Sequence, residues 1–170
     1  MFKCSQVLDS DQLLMIYCSF ILLYLNYCFP IWVNNNYSRL KVLNILQKKC
    51  IRCIAKVDFK EHASKLFIIY NKQYNILKLN DIVQLNTLLL MYKINYNNVL
   101  PNLKMFMYMK EVHTRRVNNV FMTSCRTSYR IFGQKHMGAK LWNQLPESLK
   151  CSSSKSLFKR KVKSLLTQDY

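Results

Sequence analysis

Apolar residues recur at helical spacing along most of this chain, which predicts a mainly α-helical fold. A short turn–helix–turn is predicted over 138–150, where Gly138 would supply a backbone angle that other residues resist and Trp142 would anchor packing. The scarcity of glycine (2) and proline (3) agrees with long uninterrupted helices. The other predicted helices cover residues 10–29, 39–57, 61–71, a segment that begins near residue 81, and 155–167.

Polar residues at the ends of these segments predict where the helices begin. Asp9, followed by Gln12 three residues later, is typical of a capping box at the first helix. Ser38 is predicted to cap the second helix, and Asn80 or Asp81 the fourth. The serine run that ends at Ser154 is predicted to cap the last helix.

The second predicted helix has the clearest two-sided pattern in the chain. Its predicted inner face consists of Leu43, Leu46, Cys50, Cys53, Ile54 and Val57. Its predicted outer face carries five cations, Lys41, Lys48, Lys49, Arg52 and Lys56. Solvated helix faces usually mix charge signs, so a stripe of cations without an acid favours contact with nucleic-acid phosphates. A plain solvated face is the alternative.

The helical periodicity weakens after residue 101, so the sequence predicts two regions. Residues 1–103 are expected to form a helical region, and 104–170 a basic C-terminal region that ends in a helix. Within the latter, short strands at 120–124 and 129–132 would form a small irregular or β-hairpin excursion from the helical bundle. Arg115, Arg116 and Arg126 form a second predicted basic patch for nucleic acid.

The net charge of +18 is the strongest compositional indication of a partner. Residues 1–103 hold 12 basic and 5 acidic residues, and 104–170 hold 14 and 3, so both regions are basic. Such an excess favours a polyanion, either nucleic acid or an anionic membrane surface. A solvated basic surface without a partner remains an alternative.

An uncharged run of 21 residues, 13–33, raises the possibility of a single membrane span. Ser19, Asn26 and Pro30 interrupt the run, and its tyrosines are spread through it rather than placed at its ends. A buried helix in a soluble multi-helix core is the favoured interpretation. The seven cysteines show no disulfide framework, which indicates a reducing, intracellular compartment.

The residues that usually carry catalysis do not form a recognisable constellation. Cys50 and Cys53 have the spacing of a zinc pair, with His62 downstream, but they fall on the apolar side of a helix rather than on a turn. We therefore expect no metal site and no cofactor. Paired carboxylates for divalent metals are also missing from the sequence pattern, so we do not expect an enzyme.

Several segments together resemble one known family. Gly138 to Leu149 reads Gly-Ala-Lys-Leu-Trp-Asn-Gln-Leu-Pro-Glu-Ser-Leu, which is similar to a C-terminal element of non-LTR retrotransposon reverse transcriptases of the Jockey/CR1 type. Ala139 stands where that family usually has proline. Further similar segments are Tyr17 to Trp32, Leu46 to Arg52, Ile76 to Asp81, Thr114-Arg115, Arg126-Thr127 and Ser154 to Lys159.

This resemblance implies the thumb and post-thumb part of an RNA-directed DNA polymerase, without the catalytic palm that precedes it in the family. The implied function is sequence-nonspecific binding of primer–template duplex, in the nucleus or cytoplasm, with the palm domain as a protein partner. Trp32 and Trp142 would be structural anchors. A membrane protein and a non-functional remnant of a decayed mobile element are the alternative interpretations.

Overall fold

The computed structural model describes residues 3–27, 29, 33, 37–57, 63–74, 76–96, 120, 124, 126–127 and 133–168. Of these residues 79% are helical, which confirms the predicted mainly α fold. We number the helices in chain order, and α1 is continuous from Ser10 to Asn26. The others are α2 (Tyr37–Ala55), α3 (Ala63–Tyr74), α4 (Leu79–Asn95), α5 (Gln134–Gln144), α6 (Glu147–Lys150) and α7 (Lys155–Thr167).

Helix α1 begins where the sequence predicts and changes its winding in the middle. The backbone N–H of Asp9 donates to Oε1 of Gln12 at 3.1 Å, as expected for a capping-box pair. The segment Tyr17–Leu22 is a π-helix between the α-helical segments Ser10–Ile16 and Leu23–Asn26. A π-helical segment rotates the side chains that follow it, so the inward face cannot be read from a constant 3.6-residue period.

Of the other three predicted caps, two are wrong and one is confirmed. Helix α2 begins at Tyr37 and α4 at Leu79, so Ser38, Asn80 and Asp81 lie inside first turns. Asp81 still stabilises α4, because its negative charge lies in the first turn, near the positive end of the helix dipole. Ser154 caps α7, accepting a hydrogen bond from the Leu157 N–H at 3.3 Å.

The part of the chain that the structure describes contains no strand. The predicted strands at 120–124 and 129–132 lie mostly outside the described residues, so the excursion remains a prediction. Val120 is described, and its backbone is held by one side chain. The Val120 N–H donates to Oδ1 of Asn143 at 2.9 Å, and Nδ2 of Asn143 donates back to the Val120 carbonyl at 2.8 Å.

The chain divides into two compact units, of which the first comprises the described residues of Met1–Phe29 and Asn36–Ile82. Its core joins side chains from α1, α2 and α3 and the segment before α4. The buried members are Leu13, Tyr17, Ile51, Ile54, Leu66, Phe67 and Ile76. Burial of these side chains removes apolar surface from water at about 25 cal/mol per Å², which is the main stabilising contribution to this unit.

The second unit, which includes Val83–Gln168, is built around aromatic side chains from α4, α5 and α7. Phe158 stacks on Tyr92 with ring centroids 4.6 Å apart, and the ring centroid of Trp142 lies 6.0 Å from that of Phe158. Trp142 is 1% exposed, so it is an anchor of this core. The Tyr92 hydroxyl donates to the Ser152 carbonyl at 2.8 Å, which fixes the loop before α7.

Gly138 has a different role from the predicted one. It lies inside α5 with ordinary helical backbone geometry, and no described glycine has a positive φ angle. A Cβ atom at this position would lie 2.8 Å from Sδ and 3.2 Å from Cγ of Met91. Glycine therefore lets the Met91 side chain of α4 pack directly against α5 within the second unit, and it does not serve a turn. The predicted turn–helix–turn is instead a helix, a break at Leu145 and Pro146, and the short helix α6.

Candidate nucleic-acid interface

The inner side of α2 carries a buried polar residue that sequence reasoning had not placed there. Gln47 is buried beside Ile51 and Ile54. Its Nε2 donates to the Tyr17 hydroxyl and to the Leu77 carbonyl, each at 2.9 Å. Its Oε1 accepts from the Leu79 N–H at 2.8 Å. Gln47 thus links α1, α2 and the start of α4, and this linkage sets which side of α2 faces the core.

The cations of α2 lie on the side away from this core. At 100° per residue, Lys41, Lys48, Lys49 and Arg52 occupy a sector about 100° wide. The sector is centred roughly 140° from the direction of Gln47, Ile51 and Ile54. The side chains of Lys41 and Lys49 are exposed, and those of Lys48 and Arg52 are partly exposed. The structure therefore places four of the five predicted contact residues on one accessible face of one rigid helix.

Lys56, the fifth predicted cation, lies just beyond the end of α2. Its backbone has a φ of 53°, in the left-handed region. The Val57 N–H donates to the Arg52 carbonyl and the Lys56 N–H to the Cys53 carbonyl, both at 3.3 Å, the pattern of a Schellman motif. The Lys56 Nζ lies 3.6 Å from Oδ1 of Asp9, which partly neutralises it. The prediction of a helix running to residue 57 is wrong, because this motif ends it at Ala55.

The predicted inner face of α2 is also partly wrong. Leu46 and Val57 are exposed rather than buried. Ile54 is buried as predicted, and Leu43, Cys50 and Cys53 are partly buried. Because Gln47 rather than Leu46 occupies the core, the helix is rotated relative to the apolar pattern. Two β-branched side chains, Val42 and Ile45, are consequently exposed within or beside the cationic sector.

The second predicted patch can be placed only in part. Arg126 is exposed. Arg115, Arg116 and the predicted anchor Trp32 lie outside the described residues, as do His62 and His113. Two of its three residues are not described, so the second basic patch remains a prediction.

Cys50 and Cys53, the residues of α2 with zinc-pair spacing, are both partly buried. Burial raises the pKa of the Cys50 thiol, and the neighbouring Cys53 raises it further. A raised pKa keeps the thiol protonated, whereas metal ligation and nucleophilic attack use the thiolate. Within the described residues, no three His, Cys, Asp or Glu side chains are grouped so as to hold a metal ion.

Sequence reasoning did not assign a site to the lysines of the second unit. Lys155, Lys159 and Lys163 follow one another at four-residue spacing along α7, which the sequence shows. The approach of Lys93 from α4 is a tertiary contact. The only sequence signal for this group was therefore the spacing on α7.

Comparison with known proteins gives no match to a family model, a curated protein or a solved structure. Among the helices that the structure describes, none combines the length and apolar character needed to cross a membrane.

Proposed function

We propose that this chain binds the sugar–phosphate backbone of nucleic acid, without sequence preference, through the outer face of α2. The observation that carries the proposal is the placement of Lys41, Lys48, Lys49 and Arg52 on one accessible helix face opposite the buried Gln47 side. A helix of 19 residues is about 28 Å long, so this face can follow several successive phosphates.

The resemblance noted in the sequence supports a more specific form of the proposal. The chain would be the non-catalytic thumb and post-thumb part of a non-LTR retrotransposon reverse transcriptase, and the ligand would be primer–template duplex. It would act in the nucleus or cytoplasm and would not synthesise DNA by itself. Phosphate contacts position a duplex without reading its bases, which is the behaviour a polymerase thumb needs.

The test is the salt dependence of duplex binding. The quadruple variant Lys41→Gln, Lys48→Gln, Lys49→Gln, Arg52→Gln removes four charges while keeping side chains that favour helix. Affinity for a 20-base-pair RNA–DNA hybrid would be measured by fluorescence anisotropy across a salt series. We expect the slope of log K against log[salt] to become shallower by about 3 to 4, since each lost phosphate contact removes about 0.9.

The matched control removes the same number of charges from exposed positions elsewhere. Lys3, Lys65, Lys135 and Lys140 are exposed and lie outside the α2 face. Their quadruple glutamine variant should keep most of the slope. Equal slopes for the two variants would show that binding follows net charge alone, and the proposed α2 interface would be wrong.

An exposed apolar face on α1 supports the proposed protein partner. Phe20, Leu23 and Tyr24 of α1 and Tyr27 directly after it are each more than 60% exposed. Contiguous exposed apolar side chains are typical of an interface that is covered in the working assembly. In the proposed family, the covering partner would be the palm domain. Co-expression with such a domain should raise the soluble yield, and the triple variant Phe20→Ser, Leu23→Ser, Tyr24→Ser should remove that gain.

A second candidate ligand is an anionic membrane surface, favoured by the exposed Val42 and Ile45 among the cations of α2. Interfacial helices combine cations with apolar side chains that enter the headgroup region. The variant Val42→Ser, Ile45→Ser distinguishes the two ligands. If this variant no longer co-sediments with phosphatidylserine vesicles but keeps its duplex affinity, the two apolar side chains serve membrane binding, which would favour a membrane surface as a ligand of α2. Absence of vesicle binding in the unaltered chain would remove this candidate.

A further inference from the structure

Three lysines form a row along α7 in the second unit. Lys155, Lys159 and Lys163 are spaced by four residues, so successive Cα atoms rise about 6 Å along the helix axis and stay within about 80° around it. Lys155 and Lys159 are exposed, and Lys163 is partly buried. Like charges at this spacing destabilise an isolated helix, so the row has an electrostatic cost in the unliganded chain.

A fourth lysine from another helix adds to this repulsion. Lys93, in the last turn of α4, lies close enough to Lys155 for its positive charge to act on the Lys155 ammonium group. The charge of Lys93 is the largest cause of a lowered pKa at Lys155, followed by burial and by Lys159. Burial and the charge of Lys159 also lower the pKa of Lys163. The four ammonium groups therefore form one group of mutually repelling charges.

The backbone increases the positive potential at one end of the row. Lys155 is the first residue of α7, where the helix dipole is positive and a cation is disfavoured. Anions bound near such helix ends are stabilised by the same dipole. The packing of the second unit holds the row in place, because Phe158 and Val162 of the same helix are fully buried. A bound anion would offset the repulsion among these lysines.

We propose that Lys93, Lys155, Lys159 and Lys163 form a second phosphate-binding site, which holds successive phosphates of one nucleic-acid strand. This inference rests on the proposed nucleic-acid function and adds a surface that α2 does not supply. The linear row on α7 matches a linear series of phosphates, and Lys93 broadens its Lys155 end. Lysines act here as point charges without base contacts, so the site contributes affinity and not sequence preference.

The experiment uses the full chain and three lysine variants. The site variant is Lys155→Gln, Lys159→Gln, Lys163→Gln, and the control is Lys65→Gln, Lys135→Gln, Lys140→Gln, which removes the same charge from exposed positions. The third variant is Lys93→Gln alone. Affinity for the RNA–DNA hybrid would be measured across a salt series, with melting temperatures as a check on folding.

We expect the site variant to reduce the salt slope by about 2 to 3 and the control by less than about 1. Lys93→Gln should reduce it by about 1. The site variant should also melt at the same temperature as the unaltered chain or a higher one, because removal of three lysine charges relieves their mutual repulsion. Weaker binding with unchanged or greater stability is a result that a merely structural role would not produce.

The possible failures are distinguishable. If the site variant and its control lower the slope equally while the α2 variant lowers it more, the second site is wrong and the proposed function stands. If the site variant lowers the slope and the α2 variant does not, the α2 interface is wrong and the lysine row is the binding surface. A chain that binds no duplex at low salt would overturn both proposals.

Discussion

The side-chain amide of Gln47 on α2 donates a hydrogen bond of 2.9 Å to the hydroxyl of Tyr17 on α1, a residue 30 positions earlier in the chain. Both side chains are buried, and Gln47 is 2% exposed. Nε2 also donates to the Leu77 carbonyl, and Oε1 accepts from the Leu79 N–H. One amide therefore satisfies polar groups from α1 and from the start of α4, and it holds the cationic face of α2 outward.

Replacing this amide should strongly destabilise the chain. Gln47→Leu has similar volume but leaves the Leu79 N–H and the Leu77 carbonyl without their side-chain partner. A buried polar group left unsatisfied costs about 1 to 3 kcal/mol, so we expect the free energy of unfolding to fall by about 3 kcal/mol. Urea denaturation measures this change. The exposed Gln144→Leu is the control and should change it by less than about 0.5 kcal/mol. A loss below about 1 kcal/mol for Gln47→Leu would show that the network is not a stabilising one.

The stability of the chain should fall in alkali because of Tyr17. Burial raises the pKa of Tyr17 to about 12, although the hydrogen bond from Gln47 lowers it. In the unfolded chain the phenol titrates near its ordinary pKa of about 10. The contribution of this group is therefore fully present below pH 10 and is lost as the pH rises from about 10 to about 12.

The control for this prediction is Tyr17→Phe. It removes the titrating group, so the unfolding free energy of the variant should decline less steeply between pH 10 and 12. The difference between the two slopes should integrate to about 3 kcal/mol, since each unit of pKa shift corresponds to 1.36 kcal/mol. Chemical denaturation at several pH values measures both proteins. Parallel declines would mean that Tyr17 titrates normally in the folded chain.

Gly138→Ala should destabilise the chain, and the sign should reverse when Met91 is shortened. The new Cβ would lie 2.8 Å from Sδ of Met91, whose side chain is fully buried. Displacing a packed side chain costs about 1 to 3 kcal/mol, more than the roughly 1 kcal/mol that alanine gains over glycine inside a helix. In a Met91→Ala background the clash is gone, so Gly138→Ala should stabilise by about 0.5 to 1 kcal/mol. A double-mutant cycle by urea denaturation tests this, and additive effects would contradict the close-approach explanation.

Lys56→Gly should stabilise the end of α2. Glycine adopts the left-handed conformation of this position without the penalty of about 1 kcal/mol that a side chain brings. Loss of the solvent-exposed pair with Asp9 offsets part of this gain, by about 0.2 to 1 kcal/mol. Lys56→Ala is the matched control, because it loses the same pair but keeps the strain. We expect the glycine variant to exceed the alanine variant by about 1 kcal/mol in thermal denaturation, and equality between them would contradict the strain.

The sequence by itself determined the features that depend on neighbouring residues. The helix over 155–167 and its Ser154 cap are confirmed, and α1 begins after Asp9 as predicted. Cap preferences and helical periodicity act over three or four residues, so they are visible in one dimension. The separation of cations from the core on α2 was also predictable in outline, because charge and burial exclude each other.

Only the tertiary structure decided which residues meet across the fold. The apolar pattern favoured Leu46 for the core of α2, but the structure buries Gln47, whose amide hydrogen-bonds Tyr17 and the start of α4. The sequence pattern predicts a turn at Gly138, yet this residue lies inside α5, where the side chain of Met91 packs against it. The approach of Lys93 to Lys155 has no local signal either. These contacts join residues tens of positions apart, and their energies depend on three-dimensional packing and desolvation, which local spacing does not encode.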